Sequence, residues 1–164
     1  MTTVEGASGV AWPWWSPSEH NEQLIRLRFL SPLRIRVRGK VLRDPQFPEI
    51  VRALLRRLHV LGTLYGGLHL QQKWTLPLLE QSNAVLPIYS DWHYVKEQRY
   101  SGRQQSNKML DGSFGEIAMA GELATLLPFL DAGQWTGIGA STGRGFGTYV
   151  LETGVACSEL NPGG

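Results

Sequence analysis

Between residues 24 and 38, apolar and basic positions alternate. Ile25, Leu27 and Phe29 are separated by Arg26 and Arg28. After Ser31-Pro32, Leu33, Ile35 and Val37 alternate with Arg34, Arg36 and Arg38. A period of two places the apolar side chains on one face of a strand and the arginines on the other. Pro32 has no N–H for a ladder, so a bend or bulge is expected between the two runs. The arginine faces would then form a stripe of up to five guanidinium groups. From Phe47 the period changes. Phe47, Ile50, Val51, Leu54, Leu55, Leu58, Leu61 and Tyr65 recur at helical spacing, which predicts a helix over 47–65. Pro48 suits its first turn, and Gly62, Gly66 and Gly67 mark its end. Arg52, Arg56, His59 and Thr63 share the opposite, polar face.

Residues 68–84 show no clear period and read as a loop with a short element. Leu86–Val95 reads as a strand, Phe114–Leu123 as another, Ala124–Leu130 as a short helix and Thr148–Leu151 as a last strand. The order is strand, helix, two strands, short helix, strand. It predicts an α+β domain of the ferredoxin-like βαββαβ type with an antiparallel sheet, a pattern that RNA-recognition motifs share. Fold alone does not assign function. The domain is expected over 23–152, with 1–22 a tail or linker and 153–164 a flexible C-terminal tail. The first segment carries Trp12, Trp14 and Trp15 beside Pro13 and Pro17. Three tryptophans in a solvated tail point to docking on this domain or a neighbour, with base stacking as the alternative.

Composition adds less than distribution. The chain has 164 residues and is 42% hydrophobic, enough for one domain with a real core. From Leu24 to Arg57 there are ten Lys/Arg against two acids, Asp44 and Glu49, a balance of +8; from Leu58 onward six Lys/Arg face nine acids. Such asymmetry suggests a polyanionic partner, nucleic acid before membrane surface. The alternative is a solvated surface with acidic neighbours folded against it. A single cysteine, Cys157, excludes a disulfide framework or cysteine zinc site within this chain and fits a reducing cytoplasm. No histidine pair has ligand spacing with a carboxylate beside it, so neither a metal nor a cofactor is expected. No run approaches 18 apolar residues and no signal peptide is visible, so no membrane partner is expected either.

Near the end, five glycines fall within eleven residues, Gly137 to Gly147, together with Ser141, Thr142 and Arg144. Glycine lets backbone approach a phosphate closely, and consecutive N–H groups can form an anion nest. The alternative is a bulged hairpin. A nucleotide-cofactor loop is excluded by context, because this segment follows the last helix and feeds the last strand.

Gly139-x5-Gly145-Phe-Gly147 before a final strand resembles the glycine-rich loop of the RAMP superfamily of CRISPR-associated proteins. Three further pieces agree in order: Leu27-x-Phe-Leu-Ser-Pro-Leu-Arg-Ile-Arg36, the helix from Phe47 through Arg56-Arg57-Leu58 to Gly66, and Arg99-Tyr-Ser-x-Arg-Gln104 with Gly112, Gly115 and Gly121. The chain is most similar to the C-terminal ferredoxin-like domain of the endoribonuclease that cuts CRISPR precursor RNA within its repeats. The resemblance implies metal-independent cleavage, in which a ribose 2′-OH attacks the adjacent phosphate and leaves a 2′,3′-cyclic phosphate and a 5′-OH. It also implies CRISPR repeat RNA as a partner, contacted by the glycine loop through Gly139, Ser141, Thr142, Arg144, Gly145 and Gly147. Family members usually carry two such domains, with the catalytic histidine commonly in the first. This chain has room for one, so a separate N-terminal domain or other CRISPR-associated proteins are expected as further partners.

Cleavage needs a base, an acid and cations for the developing charge. Among four histidines, His59 has the best neighbours, Arg52 and Arg56, and is the catalytic candidate; the alternative is a solvated helix face. Arg34, Arg36, Arg38, Arg52 and Arg56 are the candidate phosphate ligands, since guanidinium donates two parallel hydrogen bonds. Arg99 and Arg103 belong either to RNA contact or to a structural hydrogen-bond cluster. Three readings follow: an endoribonuclease, an RNA-holding subunit without catalysis, and a scaffold domain that docks on other proteins.

Overall fold

The structure is a computed structural model and describes residues 23–67, 70–101 and 106–154. Trp12, Trp14, Trp15, His20, His69 and Arg103 lie outside the described residues. The elements are β1 (Gln23–Phe29), β2 (Arg36–Val37), β3 (Lys40–Val41), α1 (Phe47–Leu61), α2 (Gln72–Ala84), β4 (Leu86–Ser101), β5 (Ser106–Gly121), α3 (Leu127–Thr136) and β6 (Tyr149–Thr153). The main sheet has the order β4-β5-β1-β6 and is antiparallel throughout. With the β2–β3 hairpin and α2 as insertions, this is the ferredoxin-like order that the alternation of periods predicts.

The alternation in β1 does what period two requires. Ile25, Leu27 and Phe29 are buried on the inner face, where Ile117, Met119 and Tyr149 join them. Phe29 packs on Tyr149 and Trp92 with ring centroids 5.4 and 5.5 Å away. Helix α1 lays Phe47, Ile50, Val51, Leu54 and Leu55 on that face. Its start is fixed by Glu49, whose carboxylate accepts the Gln46 N–H at 2.8 Å. Beyond Leu61 the helix widens into a π-helical turn, Gly62–Gly66, and stops at Gly67 with φ +61°.

Four expectations change. The second alternating run does not continue the sheet. Leu33 bridges Ser113 and Arg34 bridges Gly139, while Arg36–Val37 pairs only with Lys40–Val41. Arg38 and Gly39 turn that small hairpin with φ +49° and +79°, so the arginine at the tip is bent out of line with its neighbours. Residues 72–84 are a helix, which the sequence conceals because α2 contains Pro77 and buries only Ser82; Leu78 and Leu79 reach the core from one side. The second predicted helix is displaced. Leu123–Leu126 make a turn, and α3 runs from Leu127, with Pro128 in its first turn, to Thr136, with Gly137 closing it. Strands β4 and β5 are each 16 residues long, well beyond Val95 and back to Ser106. That extension is carried by backbone pairing of polar residues such as Arg99 with Lys108, which has no apolar period to read. Strand β6 ends at Thr153, opposite Ile25.

Candidate nucleic-acid interface

Three segments meet along one flank of α1. Backbone bonds pin residues 32–34 between β5 and the glycine loop. Leu33 and Ser113 exchange N–H···O bonds of 2.7 and 2.8 Å, Ala140 N–H donates to Arg34 O at 2.7 Å, and Gly147 N–H donates to Pro32 O at 2.8 Å. The chain leaving this anchor runs past α1 as the β2–β3 hairpin. Between them lies a groove of about 580 Å³ walled by Arg34, Arg36, Arg38, Arg52, Arg56 and Arg57, with Val60 from α1 and Gly139 and Ala140 from the loop. Glu49 is the one acid on its wall, and its carboxylate is occupied at the helix start. Six guanidinium groups around one groove give it a strongly cationic wall, electrostatically suited to a polyanion.

The arginines are not equivalent. Arg36, Arg38, Arg52 and Arg56 are exposed. Arg57 is half-buried and donates from Nε to Thr136 O at 3.4 Å, which ties α1 to the end of α3. Arg34 is turned inward. Its side chain is 11% exposed and lies 3.2 Å from Asp111 Oδ1 and 3.4 Å from Ser141 Oγ. Tyr94 donates its hydroxyl to the other Asp111 oxygen, and Arg43 lies over the Tyr94 ring at 4.5 Å. Arg34 is therefore primarily a clamp between the sheet and the loop. Arg26 and Arg28 lie elsewhere, in β1 and paired with Glu152. The expected stripe of five is thus divided: two arginines are paired with Glu152, one is clamped and two enter the groove, where α1 supplies the rest.

The glycine loop is a folded knot. The N–H groups of Arg144, Gly145 and Phe146 donate to Ser141 O, Thr142 O and Ser141 O, and that of Gly147 to Pro32 O. An anion nest of consecutive amides is therefore not available over 144–147, because three of those donors are used inside the loop and the fourth on Pro32. The glycines answer close backbone approach instead. A Cβ on Gly139 would stand 2.5 Å from Arg34 O, and one on Gly147 would stand 1.8 Å from Ile138 O. Of the loop residues proposed from the sequence, Gly139 reaches the groove and Ser141 holds Arg34. Thr142, Arg144, Gly145 and Gly147 do not line it.

No described histidine lines the groove. His59 is half-buried, and its Nδ1 accepts the Leu70 N–H at 3.1 Å, closing the chain that leaves α1. That bond requires an unprotonated Nδ1. His93 is exposed on β4 with Nε2 3.4 Å from Asp91. Among the described residues no three His, Cys, Asp or Glu side chains gather as a metal site, and no helix is long and apolar enough to cross a membrane. The backbone of Arg99 pairs with Lys108, and its side chain lies outside what is described. Sequence reading passed over Asp111 and Tyr94. They stand 17 positions apart, and only the hairpin register brings them together.

The clamp has a pH signature. The hydrogen bond from Tyr94 and the Arg34 guanidinium hold the Asp111 carboxyl below its usual range, against the opposing effect of burial. A depressed carboxylate contributes stability that is present above its unfolded pKa of about 3.9. That contribution is lost as pH falls through the folded value. Asp111→Asn is expected to melt below wild type at about pH 7, with the gap narrowing by about pH 2. Thermal melts at the two pH values check this, and a gap of constant size would show that the charge is not what holds the clamp.

The family model of the CRISPR-associated endoribonuclease Cas6 matches residues 27–149. No curated protein matches the sequence. Among solved structures, a Cas6 product complex is 23% identical, with TM-score 0.59, over 85% of this chain and 53% of that one. A Thermus thermophilus Cas6 is 18% identical, with TM-score 0.59, over 83% and 55%. A chain of a partial Cas6-RT-Cas1–Cas2 complex is 17% identical, with TM-score 0.58, over 81% of this chain and 23% of that one. The chain spans about half the length of the Cas6 structures it matches.

Proposed function

Because the chain belongs to the CRISPR-associated endoribonuclease Cas6 family, we propose that it binds CRISPR repeat RNA and takes part in cutting the precursor within its repeats. The observation that carries this reading is the convergence of Arg36, Arg38, Arg52, Arg56 and Arg57 with the glycine loop on one groove. Guanidinium forks suit the phosphates of a strand lying there, and the Asp111–Arg34–Ser141 clamp holds the loop wall in place. In the reaction, a 2′-OH attacks the adjacent phosphorus, the bond to the 5′-oxygen breaks, and that oxygen takes a proton. Arginines stabilise the charged phosphorane, and a histidine near neutral pH is suited to move the protons.

The same groove favours a second reading. Its described wall contains no histidine, so the chain would hold RNA while a separate N-terminal ferredoxin-like domain or another CRISPR-associated protein supplies the acid and base. His59 is the candidate within this chain. The two readings part on one experiment: incubation with a repeat RNA in EDTA, followed by mapping of the product ends. Cleavage by the chain alone, lost in His59→Ala and kept in His69→Ala, supports the first. Tight binding without cleavage, restored by adding an N-terminal domain, supports the second. Absence of salt-sensitive RNA binding would sink both.

A further inference from the structure

Trp135 is 85% exposed and does not belong to the core. It stands one residue before the end of α3. The next carbonyl, that of Thr136, accepts the Nε–H of Arg57, which is itself a wall of the arginine groove. Four residues further on, Gly139 and Ala140 form the opposing loop wall. The Arg57 bond thus places the end of α3, which carries this exposed indole, beside the arginine groove, although Trp135 is not itself among the residues that wall it.

We infer that Trp135 is a stacking platform for an unpaired base of an RNA strand whose phosphates lie in the arginine groove. This rests on the RNA-binding reading above and adds to it a base-contacting residue. A solvated indole has no packing role here, and leaving so large an apolar surface in water is unfavourable. Cationic grooves that follow a phosphate backbone, with aromatic rings beside them for the bases, are the physical design of single-strand binding. The groove supplies the first half of that pair and Trp135 the second. Bases stacked inside a duplex cannot reach such a ring, so the platform selects an unpaired nucleotide. Stacking tolerates any base, since each has a π-face, and the contact senses strandedness more than sequence.

The test uses the full chain and two probes: an oligouridylate, and an oligomer of equal length built of abasic riboses with the same phosphates. Trp135→Ala is expected to weaken the oligouridylate by about 5- to 150-fold and to leave the abasic oligomer unchanged. Trp135→Phe should retain most of the affinity. The salt slope should be the same in wild type and Trp135→Ala, because stacking releases no counterions. The melting temperature should not move, given the exposure of the side chain. Equal loss on both probes, or no loss on either in a protein that binds RNA, would overturn the inference and leave Trp135 as a protein contact. Failure of the wild type to bind any probe at low salt would overturn the RNA reading itself, and this inference with it.

Discussion

Replacing Arg36, Arg38, Arg52 and Arg56 together with alanine will weaken single-stranded RNA binding by roughly 600-fold at 0.1 M salt, if each contacts one phosphate. The figure follows from counterion release, which contributes a log–log slope of about 0.7 per phosphate on a single strand. Four lost contacts make the slope shallower by about 2.8. The four side chains are exposed, come from two different segments and line one groove. Their removal should leave the melting temperature nearly where it was, since substitutions at exposed positions usually cost less than about 0.5 kcal/mol. Arg34→Ala is the contrasting variant. It should change the slope little and lower the melting temperature, because Arg34 is spent on Asp111 and Ser141. Titrations of repeat RNA at several salt concentrations measure both quantities. A slope that does not change in the fourfold variant would place the RNA on another face.

Gly147→Ala is expected to destabilise the fold by about 2–5 kcal/mol, from about 1–2 for a left-handed backbone and 1–3 for overpacking. For a chain of this size that lowers Tm by about 4–20 °C. The residue has φ +73°, and a Cβ there would stand 1.8 Å from Ile138 O. Neither can relax cheaply, because Gly147 N–H is bonded to Pro32 O and Gly147 O accepts from Ile138 N–H at 3.0 Å. Gly143→Ala is the matched control. Its Cβ would meet nothing within 4 Å, and its φ is not in the left-handed region, so it should be nearly neutral. Thermal denaturation of the two variants side by side measures the difference. Equal melting points would mean that the loop is looser than its hydrogen bonds indicate.

Much of the fold is legible along the chain. Ile25, Leu27 and Phe29 name β1, and the stripe from Phe47 to Leu61 names α1, because burial against a core forces a period on the sequence. Helix α2 is hidden because it buries little and contains a proline, so it leaves no period. The far ends of β4 and β5 are hidden because backbone pairing holds them and side-chain polarity does not report it. The site was legible in part. Arg36, Arg38, Arg52 and Arg56 were candidates from the sequence and do share a wall. Arg34 looked like one more member of an alternating row. It is set apart because the ladder breaks at Pro32 and the next residues bridge to Ser113 and Gly139.

By itself, the sequence determined the ferredoxin-like order of elements, the cationic first third and the glycine-rich approach to β6. These are local properties: periods, charges and backbone freedoms written in neighbouring residues. Only the tertiary structure decided which arginines face one another across a groove, which one is neutralised by Asp111, and that the end of α3, which carries Trp135, meets Arg57 of that groove. Such facts depend on pairings across tens of residues, where register and packing set the distance between groups and the distance sets the chemistry. The glycine loop belongs to both. Its glycines are legible as a run, but the backbone oxygens of Arg34 and Ile138 that require two of them appear only when the chain is folded.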